Sequence, residues 1–440
     1  MQNLKKISEN LLAFIQDLRQ MRGTNVWTFI MYGLLFDMTN NLWRPFAVVF
    51  LERLGGTEFE IALLSSLPGL VAAVVLLPGA ILFRRISNQK RATAAFILIS
   101  RAMLLSIAFV PMLPANVRPL LFVILVAIMN CPDSLSQTSL QNFLGVVFSG
   151  HMRGQAIALR TKFGQAIIPI VTISSGLLIT FIPNTDEQRM VLYQIFFAVA
   201  FLLGIAEVVI FNKLKIPEYM LQKNEETSQS SNDITEDKTV KKPSTLTIFK
   251  TILTDKKFRR FIVPTIIFSF TWQAGWPLNS IYQVMNLQAT EMWFAIFALM
   301  SGTAALFSGT FWQKILRKHG NGRVFITSAV MLTMNMFIFP LVPNVQLMAV
   351  FSLFTGFSAV AMSMSLLNGV LEAAPDENRM TYIAFFNTIT SLSLFAAPFF
   401  AHFMLSRIGL INAMFAVGFM RVGSTTFAWL CQKFWKAEKV

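Results

Sequence analysis

The sequence predicts an all-α membrane protein of twelve transmembrane helices arranged as two pseudo-symmetric six-helix bundles. Three observations carry that expectation. Of the 440 residues, 55% are hydrophobic and only 13% are charged, a composition of multi-span membrane proteins. Twelve apolar segments long enough to cross a bilayer, which takes about 20 residues, occupy roughly 25–50, 60–83, 92–113, 119–146, 156–181, 190–212, 261–284, 291–313, 323–342, 345–371, 380–405 and 409–432. The last six segments also repeat features of the first six.

In chain order, residues 1–24 lack a signal-peptide shape because charges interrupt every apolar run. Leu4, Ile7, Leu11, Phe14, Ile15 and Leu18 recur at helical spacing, which predicts an amphipathic helix on the cytoplasmic membrane surface, with a solvated lead-in helix as the alternative. The N-terminal bundle then covers 25–212. Its first span sets Asp37, Asn40, Asn41 and Arg44 into an apolar stretch at offsets of three, four and seven, on one helical face. A central Asp or Arg costs about 2.5–3.5 kcal/mol to insert, so this face should meet protein or water rather than lipid. Pro45 removes a backbone donor and should bend the outer part of the helix.

The segment 213–258 is polar, mixed in charge and poor in aromatics, which predicts a flexible cytoplasmic linker. The C-terminal bundle follows at 259–440. At an offset of 232, Phe29, Ile30, Phe36, Thr39 and Pro45 meet Phe261, Ile262, Phe268, Thr271 and Pro277. At 226, Ser139, Asn142 and Arg153 meet Ser365, Asn368 and Arg379. Two groups in the same order point to duplication, with the halves related by an axis along the membrane normal. The first offset maps the polar face of span 1 onto Ser269, Trp272, Gln273 and Trp276, with Asn279 extending it. A charged wall facing an aromatic–amide wall suits a small amphipathic organic compound, through stacking, cation–π contacts and a few hydrogen bonds. The alternative for Trp272 and Trp276 is packing between helices.

The net charge of +15 invites a nucleic-acid reading, but the distribution argues against one. Of 37 Lys and Arg, 30 fall in segments that would be cytoplasmic, while the opposite loops hold only Arg53, Arg118, Arg189 and Arg407. This is the positive-inside asymmetry of a multi-pass protein of the cell membrane with both termini cytoplasmic. Cys131 and Cys431 lie in apolar spans, and the three His show no ligand spacing, so neither a disulfide framework nor a metal or other cofactor is expected. No nucleophile–base pair or phosphate loop points to an enzyme.

Between spans two and three the chain reads Gly79-Ala-Ile-Leu-Phe83-Arg84-Arg85-Ile-Ser-Asn-Gln-Lys90-Arg91. A second-half copy runs from Gly309-Thr-Phe-Trp-Gln313-Lys314 to Gly320 and Arg323, and Arg153-Gly154-Gln-Ala156 enters span five. With the twelve spans and the repeat, these stretches resemble the major facilitator superfamily over nearly the whole chain. Phe83 stands where the family's loop has Asp, the loop is slightly longer, and the Gly-Pro pair of many drug antiporters is absent, since Gly164 and Pro169 are apart.

The resemblance implies secondary active transport by alternating access, with spans 1, 4, 7 and 10 around a central cavity and spans 3, 6, 9 and 12 in support. Asp37 then becomes the leading proton-coupling candidate, the alternative being a structural ion pair with Arg44 or Arg101. Asp133, after Pro132 in span four with Gln137 one turn on, could handle protons or a cationic group, or could bond backbone freed at a kink. Asn40, Asn41, Arg44, Gln137, Trp272, Gln273, Trp276, Asn279, Asn368 and Asn387 are substrate-binding candidates, the last two also serving as interhelical glue. Arg101 and Arg421 read as structural, Arg101 neutralising Asp37 or Asp133 and Arg421 pairing with Glu207. Gly79 and Arg84 belong to the loop motif, Arg153, Glu372 and Arg379 are latch candidates, and Pro45 and Pro277 are matched bending points. The expected partners are a small-molecule substrate, membrane lipids and protons, with no nucleic acid and a monomeric chain. Proton-coupled efflux leads the functional expectation, ahead of proton-coupled uptake and of a non-transporting sensor or assembly protein of the same fold.

Overall fold

A computed structural model describes residues 24–84, 88–148, 150–215, 254–375 and 379–437. The expected surface helix at 1–24 and most of the linker at 213–258 lie outside the described residues. Helix α1 (Asn25–Asn41) stops and resumes, after a 3₁₀ turn at Arg44–Phe46, as an extension over Ala47–Arg53. There follow α2 (Glu58–Arg84), α3 (Gln89–Ala108), α4 (Arg118–Val147), α5 (Gly150–Phe181) and α6 (Asp186–Asn212). The second set is α7 (Lys256–Ile281, continued by a π turn at Tyr282–Asn286), α8 (Glu291–His319), α9 (Asn321–Ile338), α10 (Val345–Ala373), α11 (Arg379–Ile408) and α12 (Leu410–Ala437). The all-α expectation holds, and the described residues contain no strand.

Ten of these helices are long and apolar enough to cross a membrane by composition alone. The two that fall short are α1 and α7, the helices whose apolar runs carry the polar faces noted above. Starts are set by side-chain caps: Thr24, Asn88, Thr185, Asp255 and Asn344 each accept a backbone N–H of the following helix. Lys90 of the Gly79–Arg91 loop donates to the carbonyls of Asn212 (2.7 Å) and Leu214 (2.6 Å), satisfying acceptors at the end of α6. Asn25 exchanges two hydrogen bonds with the backbone of Lys215, which ties the start of α1 to the same place.

The two halves are wired alike. In the first, α1 packs on α5 and α6, α3 on α4 and α6, and α2 on α4. In the second, α7 packs on α11 and α12, α9 on α10 and α12, and α8 on α10. The duplication read from scattered identities is therefore present as a repeated packing scheme. Two further seams, α2 on α11 and α5 on α8, join the halves into a ring.

Among the described residues, the apolar core is shared between the halves at one end of that ring. At the Arg53 end a single cluster runs through both halves, from Phe46, Phe50 and Phe197 to Leu278, Phe297 and Met414. At the opposite end the halves keep separate clusters, one around Phe29, Tyr32 and Phe211, others around Phe258 and Phe385 or Trp312 and Ala361. The protein is thus closed at the Arg53 end, while among the described residues no common core joins the halves at the other.

Close approaches are built on glycine. A Cβ at Gly356 of α10 would run into the backbone of Ser301 in α8, whereas one at Gly302 would meet nothing within 4 Å. Overpacking a tight contact costs about 1–3 kcal/mol, while Gly to Ala in an open helical position gains up to about 1 kcal/mol. Gly356→Ala is therefore expected to lower the melting temperature of the purified protein in detergent, and Gly302→Ala to leave it unchanged or raise it.

Candidate functional site

The polar face of α1 does not remain one stripe. The helix breaks at Leu42–Trp43, so Asp37 and Arg44 are aimed at different neighbours. Asp37, 6% exposed, bonds Arg160 of α5 through Oδ1 at 2.8 Å, and its Oδ2 lies over Gly164 with no hydrogen-bond partner. Arg160 in turn lies across Gly33 of α1, where any Cβ would collide with its chain. Asn40 and Asn41 donate to the carbonyls of Phe36 and Asp37, each at 2.8 Å, so both amides are spent largely on their own helix.

Arg44 reaches α4 instead, where its Nη2 meets Asp133 Oδ2 at 3.3 Å. Asp133 Oδ1 meets Arg101 of α3 at 3.3 Å, and Arg101 holds Glu207 of α6 through Nε (2.9 Å) and Nη2 (3.4 Å). Arg101 is 1% exposed and needs Gly204 to fit. The Phe36 ring lies under two cations, 5.3 Å from the Arg101 guanidinium and 5.8 Å from that of Arg160, and so joins the two groups. Three carboxylates thus meet three arginines and the cluster is formally neutral. That is the arrangement buried ions require, since an unpaired one is strongly penalised.

Two pairings differ from those expected. Asp37 pairs with neither Arg44 nor Arg101 but with Arg160, one of the 30 Lys and Arg counted as cytoplasmic although it lies within the fifth span at 156–181. A boundary error of a few residues concealed it, although an intramembrane carboxylate always asks for a cation. Asp133 is paired with Arg101, one of the two partners expected for that arginine, and with Arg44 as well, rather than bonding freed backbone. Arg421 does not pair with Glu207, which belongs to Arg101. Arg421, 2% exposed, donates to the carbonyls of Thr271 (3.0 Å), Leu332 (2.8 Å) and Trp272 (2.9 Å), pinning α12 to α7 and α9. Its guanidinium fits because position 275 is glycine.

The wall of α7 differs from that of α1, as the repeat implied. Trp272 and Trp276 meet edge-to-face at 5.6 Å. Trp272 is half-buried against a cluster that includes Phe268, Phe325 and Leu332, but Trp276 is 40% exposed. Gln273 is buried with an unpartnered Oε1, and Gln137 Nε2 and Asn279 Oδ1 are likewise buried without partners. A cavity of about 290 Å³ is bounded by Pro45, Asn279, Gln283, Phe297, Ser301, Ser352 and their neighbours on α8–α10. Asn279 is a substrate-binding candidate from the sequence, whereas Pro45 was expected only as a bending point. Gln283 was missed although it lies seven residues beyond Trp276, on the same helical face. Asn368 is half-buried, Asn387 exposed, and Glu372 exposed beside a small crevice with Arg260. The side chains of Gly79, Arg84, Arg153 and Arg379 lie outside those described.

At the closed end an ion pair crosses between the halves. Arg53, at the end of the α1 extension, grips Glu291 at the start of α8 through Nε (2.5 Å) and Nη2 (3.1 Å). Tyr193 of α6 adds a hydrogen bond to Glu291 at 3.0 Å, and Arg53 also touches Asp186 at 3.3 Å. Glu291 is 1% exposed, so this pair is far better shielded than a surface salt bridge. Nearby, Gly176 of α5 lies directly on Ala295 and the Glu291 carbonyl.

The family model of the Major Facilitator Superfamily matches residues 28–398, and the chain belongs to that superfamily. Its fold is shared with solved transporters at low identity. A POT family transporter in complex with thioalcohol conjugated peptide aligns at 12% identity and TM-score 0.68, over 93% of this chain and 96% of that one. The xylose transporter XylE from E. coli, in an inward open conformation, aligns at 14% identity and TM-score 0.66, over 92% and 94%. The nucleoside transporter NupG aligns at 13% identity and TM-score 0.64, over 94% and 99%. No curated protein sequence matches significantly. Membership makes this an integral membrane protein and a secondary transporter rather than an enzyme.

Two outcomes follow from the geometry. Glu207→Gln leaves the buried Arg101 one carboxylate short and is expected to destabilise the fold by about 3 kcal/mol or more, read as a lowered melting temperature. Asp186→Asn, at an 81% exposed side chain, should change it little. Glu291→Gln removes the inter-half ion pair. Spin labels at Ala115 and Pro343, with Cys131 and Cys431 replaced, should then report a longer and broader distance across the Arg53 end than in the same labelled protein with Glu291 intact.

Proposed function

We propose that the protein is a proton-coupled transporter of a small amphipathic organic compound, with Asp37 as the proton site and efflux by proton antiport as the direction. The observation that carries this reading is the half-satisfied state of Asp37. One oxygen is held by Arg160 and the other is buried with no hydrogen-bond partner, so this carboxylate has an unused position for a proton. Asp37 and Arg160 sit on α1 and α5, and α5 forms one of the two seams between the halves. Protonation would loosen the Arg160 pair at the base of that seam, which links proton occupancy to rocking of the halves. The cavity's mixed lining of Phe294, Phe297 and Phe339 with Asn279 and Gln283 supports an amphipathic rather than a fully polar cargo.

In this reading the bundles are 25–212 and 259–440, flanked by a surface helix at 1–24 and a linker at 213–258. The closed Arg53 end faces away from the cytoplasm, and both termini and the linker face it. The Lys and Arg distribution supports that orientation in the cell membrane, with the chain acting as a monomer among lipids. Arg160, moved from the cytoplasmic group to the interior, leaves the asymmetry intact. Pro45 and Pro277 serve as hinges beside the cavity. Arg153, Glu372 and Arg379 are the latch candidates of this reading, at the cytoplasmic end.

Proteoliposomes with an imposed pH gradient test the reading, using a compound selected by thermal shift. The gradient is expected to drive flux opposite to proton flow, and Asp37→Asn to abolish the gradient's effect while retaining exchange of the compound between the two sides. Flux in the direction of proton flow would assign uptake instead. Undiminished gradient-driven flux in Asp37→Asn would remove Asp37 as the proton site, and no flux of any bound compound would favour a sensor.

A further inference from the structure

We infer that the cargo is an organic anion, its acidic head held by Arg44 and its apolar body lying against the Trp272–Trp276 face of α7; this rests on the transport reading above. The sign of the head group follows from which buried charges are already committed. Asp37, Asp133 and Glu207 are 6%, 8% and 0% exposed, each is engaged by at least one arginine, and the one unpartnered oxygen, Asp37 Oδ2, lies against Gly164, so this cluster offers no open carboxylate to a cationic ligand. Arg101 and Arg421 are 1% and 2% exposed, Arg101 on two carboxylates and Arg421 on three carbonyls. Arg160 lies along Gly33 with its guanidinium on Asp37. Arg44 differs: its side chain is 42% exposed, and its hydrogen bond to Asp133 is made by Nη2 at 3.3 Å, longer than the 2.7–2.9 Å usual for such pairs.

A guanidinium has five N–H donors, and most of those on Arg44 are unspent on protein. Within a membrane an exposed arginine faces a water-filled interior rather than lipid. The next residue, Pro45, lines the cavity that Asn279 and Gln283 complete from α7. Asp133 is held on its other oxygen by Arg101. With Nη2 kept on Asp133, the remaining N–H groups of Arg44 can meet a ligand without unpairing that carboxylate. The repeat supplies the second half of the site. Arg44 and Trp276 occupy matched positions, each just before a matched proline, and both are exposed. One offers a planar cation suited to a carboxylate, the other an aromatic face for an apolar body.

The test uses head-group series, each an aromatic or alicyclic body bearing a carboxylate, a neutral amide or a primary ammonium, applied to purified wild type, Arg44→Lys and Arg44→Gln. Binding is read by thermal shift and flux by proteoliposome uptake. The carboxylates are expected to bind wild type about 10–100-fold more tightly than the amides, with the amines weakest. Arg44→Gln should erase the carboxylate–amide difference and Arg44→Lys should keep part of it. Should Arg44→Gln fail to fold, the order of head groups on wild type and Arg44→Lys still decides. Preference for amines, equal binding of all three heads, or binding by no carboxylate would overturn the anion site. Carboxylate binding without flux would keep the anion site and refute transport, whereas flux of amines alone would keep transport and refute the anion site.

Discussion

The interaction on which the rest of this structure depends is the pairing of ions away from water. A carboxylate or guanidinium in hydrocarbon is tolerated only when its charge and hydrogen bonds are met by protein. The first half meets this requirement by knitting α1, α3, α4, α5 and α6 through three carboxylates and three arginines. Backbone positions follow from it. Gly33 and Gly164 let α1 and α5 close over the Asp37–Arg160 pair, and Gly204 makes room for Arg101. The second half solves the same problem differently, with one arginine spread over three helix carbonyls and Gly275 beneath it.

The two halves therefore share a packing scheme but not a chemistry. Wiring that repeats helix for helix supplies a pseudo-two-fold frame. Onto it the first half places ions and the second half tryptophans and amides. Closure is concentrated at one end, where a continuous apolar core and the Arg53–Glu291 pair hold the halves together. That distribution suits an exchange between two arrangements, because the contacts that join the halves at the closed end are separate from the ion network that keeps the first half intact.

Much of this was legible in the sequence, and for physical reasons. Membrane-length apolar runs leave little choice but helices, so the twelve segments and the duplication emerged from hydropathy and a constant offset. The intramembrane charges announced themselves by their cost. What the sequence could not supply was partner choice. For Asp37 the sequence offered Arg44 or Arg101, and the selection of Arg160 depends on how far α5 extends and on Gly33, which a helical wheel does not show. Nor could periodicity foresee that α1 stops at Asn41, sending Asp37 and Arg44 to different partners although a continuous helix would align them. Arg53 and Glu291 lie at helix ends, which read as ordinary surface in sequence, and only the meeting of the α1 extension with α8 makes them a pair.

The account's central claim is that one buried carboxylate, Asp37, keeps a free oxygen for a proton while its neighbours are fully engaged. Infrared difference spectroscopy of the carboxyl stretch during a pH titration measures this directly. A protonated-carboxyl band that grows as pH falls in the wild-type protein, and that is missing from Asp37→Asn, is the predicted result. The same band persisting in Asp37→Asn, or disappearing instead in Asp133→Asn, would contradict the claim and move the proton to another site.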